Sequence, residues 1–235
     1  MAEPVRLAFY DWDGTLVSSN VVTQYAWYAR HAPSLREAAV RTARVAIQIP
    51  LLAALELYSR TRLNIVFYRE YRGLRRAWLE EMAEGLFAAV FRPSIYPGAR
   101  ALVESDKSQG YRTVLVTGSL DFALGPVMRH FRFDHLIANS LVFEDGVATG
   151  EIAPPLIAEA EKVAAMRKLS RECDADLGRS KAYSDSMSDL PMLEAVGLPA
   201  VVHPGRRLKR IARRRGWPIL DLRKNKPWKQ QWEKP

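Results

Sequence analysis

At 235 residues, with 48% hydrophobic and 26% charged side chains, the chain can bury a sizeable core and is not composed like a disordered or fibrous protein. Its single cysteine, Cys173, excludes an internal disulfide and a paired-cysteine zinc site. The net charge of +9 is local, because residues 206–235 carry 12 basic against 2 acidic side chains and the rest 23 against 24, so any role for it belongs to that end.

In chain order, Met-Ala-Glu-Pro runs straight into strand-like Val5–Tyr10 with no features of a secretory signal, which predicts a cytoplasmic protein. The strand Leu7–Tyr10 ends at Asp11-Trp12-Asp13-Gly14-Thr15. From about Val17 to Tyr96 the periodicity is helical with no strand candidate, which predicts an inserted helical domain. Within it Ala32-Pro33-Ser34 precedes one helix, Pro50 kinks or starts another, and Gly73 ends a third. The apolar run from Val45 to Leu55 is broken by Gln48 and Pro50 and falls short of the roughly 20 residues of a membrane span.

A helix over Pro97–Ser108 leads into the strand Thr113–Val116, followed by Thr117-Gly118-Ser119. Leu141–Thr149 predicts a hairpin around Asp145-Gly146. A helix over Ile157–Cys173 precedes the strand Lys181–Tyr183, after which comes Ser184-Asp185-Ser186-Met187-Ser188-Asp189. Ala200–Val202 is a fourth strand, and Arg206–Arg215 a helix with Leu208, Ile211 and Ala212 inward. Such alternation is that of an open α/β sheet, in which ligands sit beyond the carboxyl ends of the strands. The three polar clusters should therefore share one crevice.

Acidic residues after a strand are common in turns, so the first cluster alone says little. A calcium loop also opens Asp-x-Asp, but Thr15 and Val22 stand where it needs an oxygen ligand and an acid. Asp11, Asp185 and a backbone carbonyl instead offer hard oxygen ligands suited to Mg²⁺. A carboxylate beside that ion can attack phosphorus, and a second one two residues on can move the leaving-group proton. Thr117 and the Gly118 amide supply donors for phosphoryl oxygens. For a lysine, Lys162 near a helix start is preferred to Lys181, which stands at the wrong end of its strand, roughly 13 Å from Asp185.

Taken together, Asp-x-Asp-Gly-Thr, the strand ending in Thr117, Lys162 and the cluster from Asp185 resemble the haloacid dehalogenase superfamily. The tracts Tyr183–Gly197 and Arg214–Leu220 are similar to subclass IB, the phosphoserine phosphatase-like branch. The resemblance implies a Rossmann-like parallel-sheet core, residues 1–16 and 97–222, an all-helical cap of the C1 type, 17–96, and a basic tail, 223–235. It implies Asp11 as nucleophile and metal ligand, and Asp13 as general acid/base that lends Mg²⁺ its carbonyl. Asp185 would bind the metal, with Asp189 behind it, while Gly14 permits the turn and Thr15 steadies Asp13. Thr117, Gly118 and Lys162 would hold the phosphoryl group. This chain departs at Asn20, where phosphoserine phosphatases carry an amine-recognising glutamate, and at His203-Pro204-Gly205, where relatives tend to have Asn-Pro-Asp. His203 reads as structural.

Tyr25, Trp27, Tyr28, Tyr58, Phe67, Tyr68, Tyr71 and Trp78 give the insert an aromatic character. Mutual packing is the first explanation, and an apolar pocket for a lysophospholipid-like or other bulky phosphate monoester is the second. The alternatives are a small soluble metabolite and, outside enzymes, a phosphate- or nucleic-acid-binding protein. The stretch Lys224–Trp232 reads first as a solvated tail and second as a peripheral contact with an anionic membrane, with nucleic acid not expected as a partner.

Overall fold

The apolar strand β1, Arg6–Tyr10, is covered on both faces and forms the middle of a seven-stranded sheet. The computed structural model describes residues 5–58 and 60–224, with the backbone alone for 51–58 and 60–62. The Trp228–Trp232 stretch and the Tyr58 side chain thus lie outside the described residues. After β1 come helices α1 (Val21–Arg30), α2 (Leu35–Tyr58), α3 (Arg60–Phe67), α4 (Arg76–Glu81), α5 (Ala83–Leu86) and α6 (Arg92–Ser94). A 3₁₀ turn, Tyr68–Tyr71, follows α3. The chain then runs through α7 (Ala99–Ser108), β2 (Tyr111–Leu120), α8 (Gly125–Phe131), β3 (His135–Glu144), β4 (Val147–Ala153) and α9 (Glu159–Glu172). It finishes with β5 (Lys181–Ser184), α10 (Leu190–Glu194), β6 (Leu198–Val202), α11 (Arg206–Arg215) and β7 (Ile219–Leu220).

The strand order is β4-β3-β2-β1-β5-β6-β7, parallel except for the β3–β4 hairpin. That hairpin turns at Asp145 and Gly146, both with positive φ, as an Asp-Gly turn requires. Because β1 lies between β2 and β5, whatever follows these three strands meets at one edge of the sheet. The segment between β1 and β2 adds no strand to the sheet among the described residues. Pro50, read as kinking or starting a helix, lies inside α2 and does not start one. No helix among the described residues is long and apolar enough to cross a membrane.

The chain leaves the sheet edge and returns to it through a paired neck. Val17 bridges Ile95 antiparallel, Ser18 N–H donates to the Ser94 carbonyl at 2.9 Å, and Tyr96 N–H to the Leu16 carbonyl at 3.0 Å. A second attachment is made further along, where Gly73 N–H reaches the Ala148 carbonyl and Ala148 N–H the Leu74 carbonyl, each at 2.9 Å.

Lys181, buried, donates to Asp106 at 2.7 Å and to Gln109 at 2.9 Å, and Tyr10 hydroxyl donates to the other Asp106 oxygen at 2.5 Å. Removing one partner of a buried ion pair leaves the other uncompensated. Lys181→Met should therefore lower the unfolding free energy by about 3 kcal/mol, read from urea denaturation, and an unshifted midpoint would refute the assignment. His203 is likewise structural: its Nε2 accepts the Leu222 N–H at 3.3 Å and its ring lies 4.5 Å from that of Tyr96.

Candidate active site

Where β1 ends, the chain winds around one carbonyl: the N–H groups of Thr15, Leu16 and Val17 all point to the Trp12 oxygen, at 3.0 to 3.3 Å. Alternation along the extended backbone sends Trp12 into the core, edge-on to Phe91 and Phe131, and leaves Asp11 and Asp13 on the opposite side. Asp11 is 1% exposed, and Asp13, Thr117, Lys162 and Asp189 are buried with it. Lys162, from the first turn of α9, lies 2.6 Å from Asp11 Oδ1 and 2.9 Å from Asp189 Oδ1. Burial alone would lower its pKa, but the two carboxylates outweigh that and hold it above the ordinary lysine value. Ser184 hydroxyl fixes the other oxygen of Asp189 at 2.7 Å.

Thr15 differs from its expected role. Its hydroxyl lies 3.0 Å from Asp11 Oδ2 and 3.1 Å from Asp185 Oδ1, and accepts the Asp185 N–H at 3.0 Å. It ties the two proposed metal-binding carboxylates together rather than steadying Asp13. Asp13 is held by two residues the sequence reading did not assign. Gln24, on α1 and 3% exposed, donates to Asp13 Oδ1 at 2.9 Å and to Ser119 Oγ at 3.1 Å, while Ser119 hydroxyl donates to Asp13 Oδ2 at 2.7 Å. Ser119 stood in the quoted cluster after β2. Gln24 left no signal, being one polar residue in a helical run.

The register of β2 against β3 breaks between Val116 and Leu120, and there Thr117-Gly118-Ser119 turns toward the site. Thr117 Oγ1 accepts the Ser119 N–H at 3.0 Å. The Gly118 carbonyl accepts from Tyr68 hydroxyl at 2.5 Å and from Asn139 Nδ2 at 2.7 Å, so the insert grips this loop too. A cavity of about 40 Å³ lies between these walls, bounded by Asp13, Gly118, Lys162 and Asp189 from the core and by Asn20 and Asn64 from the insert. Asn20 caps α1, its Oδ1 accepting the Thr23 N–H at 3.0 Å. The insert's aromatic rings pack on each other: Tyr25 on Phe67 and Tyr71, Tyr28 on Trp27, Tyr71 and Trp78, with Phe122 closing the cluster. None of them lines the cavity.

Whether a divalent cation fits can be judged from the donors. Four carboxylates, Asp11, Asp13, Asp185 and Asp189, face one lysine, an excess of negative charge that a dianionic ligand would worsen. Among the described residues no three His, Cys, Asp or Glu side chains form a chelating group. Mg²⁺ does not need one, since one or two carboxylates, a carbonyl and retained water suit it. Asp11 and Asp185, joined through Thr15, match that requirement. Gly14 makes the approach possible: its φ is +87°, and a Cβ there would stand 2.4 Å from Asp185 Oδ2. Gly14→Ala should weaken Mg²⁺ binding by about tenfold or more, measured by titration calorimetry, and unchanged affinity would disprove the placement.

Comparison with known proteins identifies a family and several phosphatases similar to this chain. Residues 8–194 match the family described as haloacid dehalogenase-like hydrolase. A probable phosphatase of Mycobacterium tuberculosis is 32% identical over 217 residues, 92% of this chain and 75% of that one. A histidinol-phosphatase of Neisseria meningitidis is 28% identical over 241 residues, 93% of this chain and 99% of that one. Among solved structures, a protein of unknown function from Bordetella pertussis superposes with a TM-score of 0.81 at 27% identity, covering 93% of this chain and 99% of that one. A phospho-aspartyl intermediate analogue of phosphoserine phosphatase shares the fold, with a TM-score of 0.68 at 20% identity over 94% of this chain and 95% of that one.

Proposed function

The chain belongs to the haloacid dehalogenase-like hydrolases and is a phosphatase, and from that premise we propose that it hydrolyses small phosphate monoesters through Asp11 with Mg²⁺ as cofactor. The observation that carries this reading is the buried set in which Lys162 joins Asp11 to Asp189 and Thr15 joins Asp11 to Asp185. Lys162, Thr117 and the Gly118 amide hold the phosphoryl oxygens, so that the phosphorus faces Asp11. A carboxylate oxygen of Asp11 bonds to phosphorus as the ester P–O bond breaks, and Asp13 gives its proton to the departing alkoxide. Water then attacks the aspartyl-phosphate, Asp13 takes the water's proton, and phosphate leaves with Asp11 restored. Mg²⁺, held by Asp11, Asp185 and the Asp13 carbonyl, would supply positive charge against the phosphoryl oxygens. The helices of the insert act as a cap that excludes water, and through Gln24 they also orient Asp13.

The lining of the cavity favours the small-metabolite reading over a lysophospholipid-like one: Asp13, Asn20, Asn64, Glu159, Lys162 and Asp189 line it with charged and amide groups. On its outer wall Glu159, at the start of α9, is held at φ +46°, a costly backbone for a non-glycine residue and one often found at functional sites. A carboxylate beside Asn20 and Asn64 suits an ester whose alcohol carries an amine, which accords with the relative named histidinol-phosphatase. In a panel of monoesters, O-phosphoethanolamine should exceed ethyl phosphate in kcat/KM by about tenfold, and lysophosphatidate should be slower than both. Preference for the lipid, or turnover of no small ester, would overturn the substrate reading.

A further inference from the structure

The first turns of α2 and the 3₁₀ turn Tyr68–Tyr71 border a second cleft, of about 400 Å³, which shares no residue with the catalytic cavity. Five arginines line it, Arg36, Arg41, Arg44, Arg69 and Arg72, against Glu37 and Glu70. Three of the arginines are committed to the fold. Arg41 donates to Glu37 at 2.8 Å, to the carbonyls of Glu70 and Arg72 at 2.7 and 3.1 Å, and to Tyr25 hydroxyl at 3.2 Å. Arg72 donates to the Thr149 carbonyl at 2.8 Å, and Arg44 lies 3.6 Å from Glu70 Oε2. The side chains of Arg36 and Arg69 are exposed and, among the described residues, make no hydrogen bond or ion pair.

Glu70 is satisfied within the protein: one oxygen takes Gln48 Nε2 at 2.9 Å and the other, buried, pairs with Arg44 at 3.6 Å. The cleft therefore keeps two uncommitted guanidinium groups, on Arg36 and Arg69, around an open space. The volume falls in the range of small-molecule sites and is concave, unlike the flat face a protein partner would use. Guanidinium forks match phosphate oxygens better than lone carboxylates, since they can bind them in pairs.

We infer that this cleft is a binding site, separate from the catalytic one, for a small polyphosphate, the class that pyrophosphate and nucleoside di- and triphosphates represent. The phosphates lie along Arg36 and Arg69. Titration calorimetry on the full chain in metal-free buffer, with a non-hydrolysable methylene analogue of ADP as probe, reads this directly. Withholding the metal leaves the catalytic carboxylates to repel the probe. The wild type should bind one equivalent, and Arg36→Glu/Arg69→Glu should bind at least about tenfold more weakly. Because both side chains are exposed, the double variant should keep its turnover of 4-nitrophenyl phosphate with Mg²⁺ within about twofold. Adenosine alone should not bind, and pyrophosphate should displace the analogue. Equal affinity in wild type and variant, no binding by the wild type, or adenosine binding as tightly as the analogue would overturn the site.

Discussion

Asp11→Asn should lower Mg²⁺-dependent hydrolysis of 4-nitrophenyl phosphate by about four orders of magnitude or more. Asparagine has the shape of aspartate: its amide oxygen can still accept from Lys162, 2.6 Å from Asp11 Oδ1, while its NH₂ can donate to the Thr15 hydroxyl, 3.0 Å from Asp11 Oδ2. What it lacks is an anionic oxygen able to bond to phosphorus. The variant should fold, because Lys162 keeps Asp189 at 2.9 Å as a counter-charge. Acid-quenched wild-type enzyme should carry base-labile phosphate during turnover, and the variant none. Chelation of the metal should produce a similar loss that added Mg²⁺ restores, whereas the Asp11→Asn loss should persist at any Mg²⁺ concentration. Full activity in the variant would remove Asp11 from the chemistry.

Asp13 should reveal itself through the leaving group. An alkoxide needs a proton as it departs, but nitrophenolate is stable without one. Asp13→Asn should therefore cut turnover of an alkyl phosphate by about 10³-fold, with no rapid first turnover. With 4-nitrophenyl phosphate a fast burst of nitrophenolate should survive, followed by slow release of phosphate, because water attack still lacks its base. Gln24→Leu should show the same pattern at about tenfold for the alkyl ester, the scale expected when one hydrogen bond to a carboxylate is lost. Ser119 still holds the other Asp13 oxygen at 2.7 Å, which limits the damage. Should Gln24→Leu slow both esters equally, Gln24 merely supports the fold and does not set Asp13.

What the sequence made legible and what it hid divide along a physical line. Leu7–Tyr10, Thr113–Val116 and Lys181–Tyr183 show themselves as strands because burial on both faces demands continuous apolar runs, and the polar clusters behind them show the crevice. Asp145-Gly146 reveals its turn because few residues tolerate two successive positive φ angles. Strand length set Lys181 aside and the whole set of clusters pointed to Lys162; in the structure Lys181 pairs with Asp106. Gln24 was hidden because its burial comes from α1 docking on the core, which no local pattern encodes. Thr15 was misassigned for the same reason, since Asp185 is 170 residues away in sequence. Pro50 left two readings open, a kink or a helix start, and the fold places it within α2, not at its start.

The neck at Val17 and Ile95 has an implication for how this enzyme type diversifies. With Leu16–Ser18 and Ser94–Tyr96 paired side by side, a short turn could close the gap at the neck, but Gly73 and Leu74 also pair with Ala148 of β4, so an exchanged helical segment would have to remake both attachments. A grafted cassette would inherit Asp11, Asp185 and Lys162 in place, and with them the phosphoryl chemistry. It would not inherit Gln24, so any transplant must bring its own donor to Asp13 or be confined to esters whose alcohols leave unaided.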